Sequence, residues 1–167
     1  AVEMKGVDWC ALENCTIRNF GGSGIFVRGK RSGVRDCRLT NLGESGILLQ
    51  GGDRKTLKAA KLFADRNEIW KISRFCRTYQ PAVQIEGVGN RVSSNRIHDL
   101  PHSAVIFSGN DHLLELNLVE RVCTDTGDAG AFYMGRDATM RGNVIRWNWF
   151  RKVDPFINTE GNYTGVM

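Results

Sequence analysis

The sequence has 167 residues, of which 41% are hydrophobic and 25% charged, a composition typical of one globular domain. Glycine is frequent (19 residues) and proline rare (3 residues), which favours short strands joined by tight turns over a disordered linker. No stretch approaches the roughly 18 uninterrupted apolar residues of a membrane span, and the net charge of +5 comes without the motifs of a nucleic-acid-binding protein.

A short pattern recurs five times: a small residue, alternating apolar positions and, usually, a glycine. The segments are GIFVRG (24–29), GILLQG (46–51), AVQIEG (82–87), AVIFSG (104–109) and AFYMGR (131–136). Apolar residues that alternate over four to six positions indicate β-strands. Successive segments begin 22, 36, 22 and 27 residues apart, so the minimum repeat is 22. The side chains predicted to point inward are Ile25, Ile47, Val83, Val105 and Phe132.

A second pattern accompanies the first and has the same minimum spacing. Its aligned positions are Cys15, Cys37, Asn67, Asn95, Asn117 and Asn148. Asparagine occupies four of these six positions. This predicts a turn residue that either has a left-handed backbone conformation or forms hydrogen bonds through its side chain. We expect the asparagines of successive coils to stack on one another. The apolar residues two positions later form a second predicted inward ladder, namely Ile17, Leu39, Ile69, Ile97, Val119 and Phe150.

A repeat of this kind predicts a solenoid, because one coil cannot bury its inward face and must stack at ~4.8 Å on its neighbours. Leucine-rich repeats share the period but require a Leu-x-x-Leu-x-Leu framework that is missing here. We therefore predict an all-β, right-handed parallel β-helix of the pectin-lyase-like kind, with about five to six coils and residues 1–167 as one segment. Insertion loops are expected at about 52–64 and 123–130. The stretch 55–69 is the only one that could hold a helical turn, and we interpret it as an insertion loop.

Inserted loops suggest where a glycan-binding groove would lie, because coils of the minimum length have no extra residues that could form the sides of a groove. The stretches 52–81 and 123–131 are the candidates, and the most polar segment spans 123–137. Within it, Asp128 lies in a tight Gly-Asp-Ala-Gly loop just before a strand. Its carboxylate either faces the groove as one of the two carboxylates that cleave a glycosidic bond, or bonds its own backbone in an Asx turn.

Further candidates surround this segment. His102 precedes the strand AVIFSG on the coil next to the Asp128 loop, so it can reach the same groove. Tyr79 can stack on a sugar ring. Arg136 binds substrate or forms a structural ion pair, and we expect Asp137 to hold Arg136 or Arg141, or to cap a turn, rather than take part in chemistry. The candidate substrate-binding residues are His102, Tyr133, Arg136, Asp137 and Tyr79.

The histidines and cysteines lack the spacing of metal sites. His98, His102 and His112 form no H-E-x-x-H motif. The cysteines, which show no C-x-x-C pair and are odd in number, are expected to be small buried hydrophobes rather than a disulfide framework. We expect no metal and no cofactor, and at least one of the four tryptophans in the core. The cysteines are Cys10, Cys15, Cys37, Cys76 and Cys123.

Two runs closely resemble secreted bacterial right-handed β-helix proteins related to glycoside hydrolase family 141, which includes α-L-fucosidase and xylanase activities. They are TYQPAVQIEGVGNRVSSNRIHDLPHSAVIFSGNDHLLELNLVERVC (78–123) and TGDAGAFYMGRDATMRGNVIRWNWF (126–150). The resemblance covers roughly residues 10–167 and is specific over 78–150. It implies that Asp128 is a catalytic aspartate and that its partner aspartate lies about one coil further on, beyond Met167. Ala138 stands where relatives commonly carry Trp.

These features lead to several expectations about function. We expect a secreted or periplasmic, monomeric protein that processes a plant or microbial polysaccharide or oligosaccharide, without nucleic acid or a membrane span. Because neither end of the sequence offers a cap, we expect an internal fragment. We expect this fragment to lack hydrolase activity by itself, because the second catalytic carboxylate is missing from it. Two alternatives stay open: a polysaccharide lyase or epimerase, and a non-catalytic β-helix with a glycan-binding or structural role.

Overall fold

Strands and turns account for residues 2–153, the part of the chain that the computed structural model describes. The strands are β1 (Val2–Asp8), β2 (Ala11–Glu13), β3 (Thr16–Arg18), β4 (Ile25–Lys30), β5 (Gly33–Arg35), β6 (Arg38–Thr40), β7 (Ile47–Gly51), β8 (Phe63–Asp65), β9 (Glu68–Trp70), β10 (Val83–Val88), β11 (Arg91–Ser93), β12 (Arg96–His98), β13 (Val105–Asn110), β14 (Leu113–Glu115), β15 (Leu118–Val122), β16 (Phe132–Met134), β17 (Val144–Arg146) and β18 (Trp149–Val153).

The strands form three parallel sheets of six strands each. Sheet 1 contains β1-β4-β7-β10-β13-β16, sheet 2 contains β2-β5-β8-β11-β14-β17, and sheet 3 contains β3-β6-β9-β12-β15-β18. Three consecutive strands, one in each sheet, make up a coil, so coil 1 is β1–β3 and coil 6 is β16–β18. Six coils stack in the described residues. The predicted all-β, right-handed parallel β-helix is confirmed.

Both predicted inward ladders are present in register. In sheet 1, Ile25 pairs with Ile47, and the ladder continues through each coil to Phe132. In sheet 3, the ladder runs from Ile17 to Phe150, and its four middle members are fully buried. Burying one such aliphatic side chain stabilises the fold by about 1.5–3 kcal/mol relative to leaving it exposed, so the stacked ladders supply the core.

The asparagine ladder is built from side-chain bonds to the neighbouring coil. Asn95 accepts hydrogen bonds at Oδ1 from the backbone N–H of Asn67 at 2.9 Å and from its Nδ2 at 3.0 Å. The Nδ2 of Asn95 donates to the Ala64 carbonyl at 2.8 Å and to Asn117 Oδ1 at 3.0 Å. The left-handed residue is the preceding one, Ser94 (φ 58°), so the side-chain-bonded alternative is correct. Backbone donations to the next side chain connect Cys15, Cys37, Asn67, Asn95, Asn117 and Asn148.

A second polar ladder, not anticipated from the sequence, precedes the strands of sheet 2. The backbone N–H of Asn90 donates to His112 Nδ1 at 3.1 Å, and the N–H of His112 donates to Asn143 Oδ1 at 2.9 Å. His112 Nε2 lies 3.0 Å from the Ser108 carbonyl, so these partners assign a neutral ring protonated at Nε2. Burial lowers the pKa of His112, and the bond to Ser108 opposes this less strongly. His112 is therefore a structural residue.

The glycine that ends most repeat segments is required by close stacking. At Gly109 (φ 113°), an added Cβ would lie 1.9 Å from the carbonyl oxygen of Gly87. At Gly87 (φ 105°), it would lie 2.0 Å from the carbonyl oxygen of Gly51. Neither the backbone conformation nor the available space admits a side chain, and this explains why glycine recurs at that position.

The insertion loops differ in extent from the prediction. Strand β7 ends at Gly51 and β8 begins at Phe63, so the first loop is 52–62. The interpretation of 55–69 as an insertion loop is wrong beyond residue 62, because Ala64 and Ile69 occupy inward positions in register with neighbouring coils. Other long connections are loop 71–82 before β10, loop 123–131 before β16 and loop 135–143 after β16.

The cysteines and tryptophans correct two further expectations. Cys37 and Cys123 are buried as predicted, whereas Cys10 and Cys76 are exposed, because they lie in a turn of the terminal coil and in loop 71–82. No disulfide joins the five cysteines. The expectation of a core tryptophan is wrong, because the buried positions are filled by aliphatic residues together with Phe107 and Phe132. Trp70 is half-buried on an outer face, and the exposed tryptophans are Trp9, Trp147 and Trp149.

Candidate functional site

Four of the sequence-predicted site residues meet at one end of sheet 1. Tyr79 comes from loop 71–82, His102 from the turn between β12 and β13, Asp128 from loop 123–131, and Tyr133 from β16. The ring centroids of Tyr79 and His102 are 4.9 Å apart, and those of Tyr79 and Tyr133 are 6.4 Å apart in an edge-to-face arrangement. The carboxylate of Asp128 is near enough to act on the charge of His102. We call these four residues the Asp128 cluster.

His102 is the buried member of the cluster. It is 2% exposed, and its Nδ1 has no hydrogen-bond partner among the described residues. Burial lowers the pKa of His102, while the negative charge of Asp128 acts in the opposite direction. The ring is therefore neutral near pH 7. A buried nitrogen without a partner costs about 1–3 kcal/mol, and a ligand hydroxyl that met it would recover part of that energy.

Asp128 is exposed, and its carboxylate makes no hydrogen bond or ion pair within residues 2–153. The bond that it does make is a backbone one, from its N–H to Thr126 Oγ1 at 3.4 Å. The loop therefore does not use the Asp128 carboxylate in an Asx turn. A free carboxylate that is near enough to act on the neutral imidazole of His102 is available to a ligand.

The outer face of sheet 1 extends from the Asp128 cluster, at one end of its strands, to loops 52–62 and 135–143 at the other end. Outward side chains form two adjacent rows, one mainly apolar and one mainly polar. Glu86 lies in the polar row and accepts hydrogen bonds from Gln50 at 2.9 Å and Gln84 at 2.8 Å. The rows are Phe26, Leu48, Gln84, Ile106 and Tyr133, and beside them Arg28, Gln50, Glu86 and Ser108.

Asp137 and Arg136 lie at the other end of β16, away from Asp128. Asp137 caps a turn as expected, accepting the backbone N–H of Thr139 at 2.9 Å. The expected pairing with Arg136 or Arg141 is wrong, because Arg54 reaches over from loop 52–62 and pairs with Asp137 at 3.1 Å. Hydrogen bonds from Thr139 and Arg54 hold the pKa of Asp137 below its usual value. Arg136 is exposed.

Sequence reasoning missed a charged cluster on the outer face of sheet 3. Glu120 is only 1% exposed although it points outward, because Arg96, Arg121 and Arg151 surround its carboxylate. Burial raises its pKa, but the arginines outweigh this and the net pKa is lowered. Alternating positions on paired strands could have revealed the cluster, since Glu120 pairs in register with His98 and Arg151.

His98 belongs to that face of sheet 3 rather than to the Asp128 cluster. Its ring stacks on Trp70 with centroids 5.8 Å apart, and its Nδ1 lies 2.7 Å from Asp99. Asp99 also accepts from Arg121 at 2.5 Å. The bond from Arg121, and more weakly that from His98, lowers the pKa of Asp99 to about 2 against the opposing effect of burial.

Two other kinds of feature are absent from the described residues. Within 2–153, no group of three or more histidine, cysteine, aspartate or glutamate side chains is arranged to hold a metal ion. That part of the chain also contains no helix of the length and apolarity that a membrane crossing demands.

Comparison with known proteins agrees with the fold. A family model described as a right handed beta helix region matches residues 1–70. This match spans coils 1–3 and ends before the Asp128 cluster, so it describes the architecture and not the site. The chain matches no curated protein and no solved structure. Fold and outer face together define a right-handed parallel β-helix with a loop-walled surface.

Proposed function

We propose that the protein is carbohydrate-active and binds an extended polysaccharide or oligosaccharide along the outer face of sheet 1. In this proposal Asp128 is one of the two carboxylates of a glycoside hydrolase. The supporting observation is the convergence of Tyr79, His102, Asp128 and Tyr133 from separate coils at one end of that face. Secretion or export to the periplasm, and a monomeric state, belong to the same proposal.

Each member of the cluster has a role that suits a sugar. The Tyr79 ring is 56% exposed and offers an apolar face for a pyranose ring, with Tyr133 beside it. The neutral His102 can exchange a hydrogen bond with a hydroxyl through its unpaired Nδ1. Asp128 stands free at the rim, where it can act on the glycosidic bond as nucleophile, general acid or general base.

Hydrolysis requires a second carboxylate, ~5–5.5 Å from the first for retention or ~6.5–9.5 Å for inversion. The partner aspartate expected beyond Met167 lies outside the described residues. Glycan binding does not require that second carboxylate, so it is the property to measure on the 167-residue chain. Hydrolysis is to be measured on a polypeptide that also carries the partner aspartate.

The test is Asp128→Asn, which removes the charge and keeps the shape. We expect hydrolysis of fucosides or xylans to fall by about 10³-fold or more, while glycan binding by the chain changes little. The matched control is Asp36→Asn, an aspartate at the corner between sheets 2 and 3 that pairs with Arg66. Unchanged turnover in Asp128→Asn would favour the non-catalytic alternative and contradict the proposed role of Asp128.

A further inference from the structure

A cationic pocket opens on the sheet 3 side of the loops that carry the Asp128 cluster. Its volume is about 490 Å³, and its charged lining consists of four cations and one carboxylate. These are Lys71, Arg74, Arg77, Arg121 and Asp99. The floor is apolar, since Ile72 and Leu100 in the lining are each 1% exposed.

The cations are only partly neutralised. Arg121 pairs with Asp99, and Arg77 pairs with Asp125 at 2.5 Å. Lys71 and Arg74 are exposed and have no ion pair among the described residues. The pocket therefore keeps an excess of positive charge over an apolar floor.

The pocket and the Asp128 cluster share their loops. Loop 71–82 carries Arg77 and, two residues later, Tyr79, so the two backbones are at most ~7 Å apart. The turn between β12 and β13 carries Leu100 on the pocket side and His102 on the cluster side. A chain molecule bound at Tyr79 that continues past Arg77 would pass over the pocket.

We propose that this pocket binds the acidic group of a sugar residue, a carboxylate or a sulfate ester, in the glycan that occupies the Asp128 cluster. The inference rests on the proposed function and narrows its substrate to acidic glycans. Lys71 and Arg74 supply the unpaired charge for the anion. The pocket, at about 490 Å³, has room for a sugar ring that carries the acidic group, which is more space than a bare inorganic anion would use.

The experiment is titration calorimetry of the 167-residue chain with four probes. These are an oligogalacturonide, a sulfated oligosaccharide of equal length, a neutral xylo-oligosaccharide of equal length, and inorganic sulfate. We expect at least one acidic oligosaccharide to bind about tenfold more tightly than the neutral one, and which of the two does so tells carboxylate from sulfate. Inorganic sulfate should bind far more weakly than either.

The variant pair is Lys71→Gln with Arg74→Gln, which should abolish the preference for acidic glycans and leave neutral binding unchanged. Lys61→Gln is the matched control, because Lys61 is also an exposed lysine with a left-handed backbone (φ 58° against 50° for Lys71) but lies outside the pocket. It should keep the preference.

The outcomes separate the two proposals. Glycan binding with no acidic preference, or a preference that survives the Lys71 and Arg74 changes, overturns the acidic pocket and leaves the proposed function standing. Inorganic sulfate that binds as tightly as an acidic oligosaccharide overturns the assignment to a sugar. If none of the oligosaccharides binds, the proposed function itself fails.

Discussion

Asn95→Ala, in the buried middle of the asparagine ladder, should destabilise the β-helix more than the same change at the half-buried end of the ladder. Asn95 is 1% exposed and is bonded to both neighbouring coils. Its loss leaves the buried backbone N–H of Asn67 without a partner and removes a donor from the Ala64 carbonyl. Each buried polar group left unsatisfied costs about 1–3 kcal/mol, so we expect the free energy of unfolding to fall by ~3 kcal/mol.

The assay is urea unfolding followed by far-ultraviolet circular dichroism, with Asn148→Ala as the matched control. Asn148 is the ladder member in coil 6 and is only half-buried, so water can replace its bond to the N–H of Asn117. We expect the control to cost ~1 kcal/mol. Equal losses in the two variants, or a loss below about 1 kcal/mol for Asn95→Ala, would refute the view that the ladder holds the coils together.

Two further changes test the stacking. The lowered pKa of His112 means that the unfolded chain binds a proton more readily, so stability present above about pH 6.5 is lost as the pH falls through the lowered folded-state pKa. In urea melts, His112→Asn should therefore lose less stability than the unchanged protein between about pH 7.5 and pH 5, roughly the range in which histidine titrates. Identical pH dependence of the two proteins would contradict this. Gly109→Ala should lower the free energy of unfolding by at least ~2 kcal/mol, because the added Cβ would lie 1.9 Å from the carbonyl oxygen of Gly87. The control Gly135→Ala should cost little, because the space around Gly135 is open. A similar thermal midpoint for both variants would contradict the close-stacking explanation.

The sequence was sufficient to predict the fold because each coil repeats the same constraints. Period-2 alternation marks the inward residues, glycine marks a backbone contact that excludes a side chain, and asparagine marks a side-chain bond to the next coil. These constraints are local to one coil and its neighbour, so they appear as a repeat. The role of His112 was missed because a histidine there replaces the asparagine of the equivalent positions Asn90 and Asn143.

Part of the Asp128 cluster was accessible from sequence for the same reason. Loops that follow equivalent strands leave the stack at the same corner, so His102 and the Asp128 loop were expected together. The pairing of Arg54 with Asp137 was not accessible, because the two residues are 83 positions apart and lie in two long loops, 52–62 and 135–143, whose paths no repeat constrains. The cationic pocket depends on the path of loop 71–82, which no repeat constrains.

The central claim is that a glycan lies on the outer face of sheet 1 and reaches the Asp128 cluster. Mapping by nuclear magnetic resonance, with the isotope-labelled chain titrated with an oligosaccharide, tests it most directly. We predict chemical-shift changes at Tyr79, His102, Asp128 and Tyr133. Changes confined to sheet 2, or none at saturating oligosaccharide, would contradict the account.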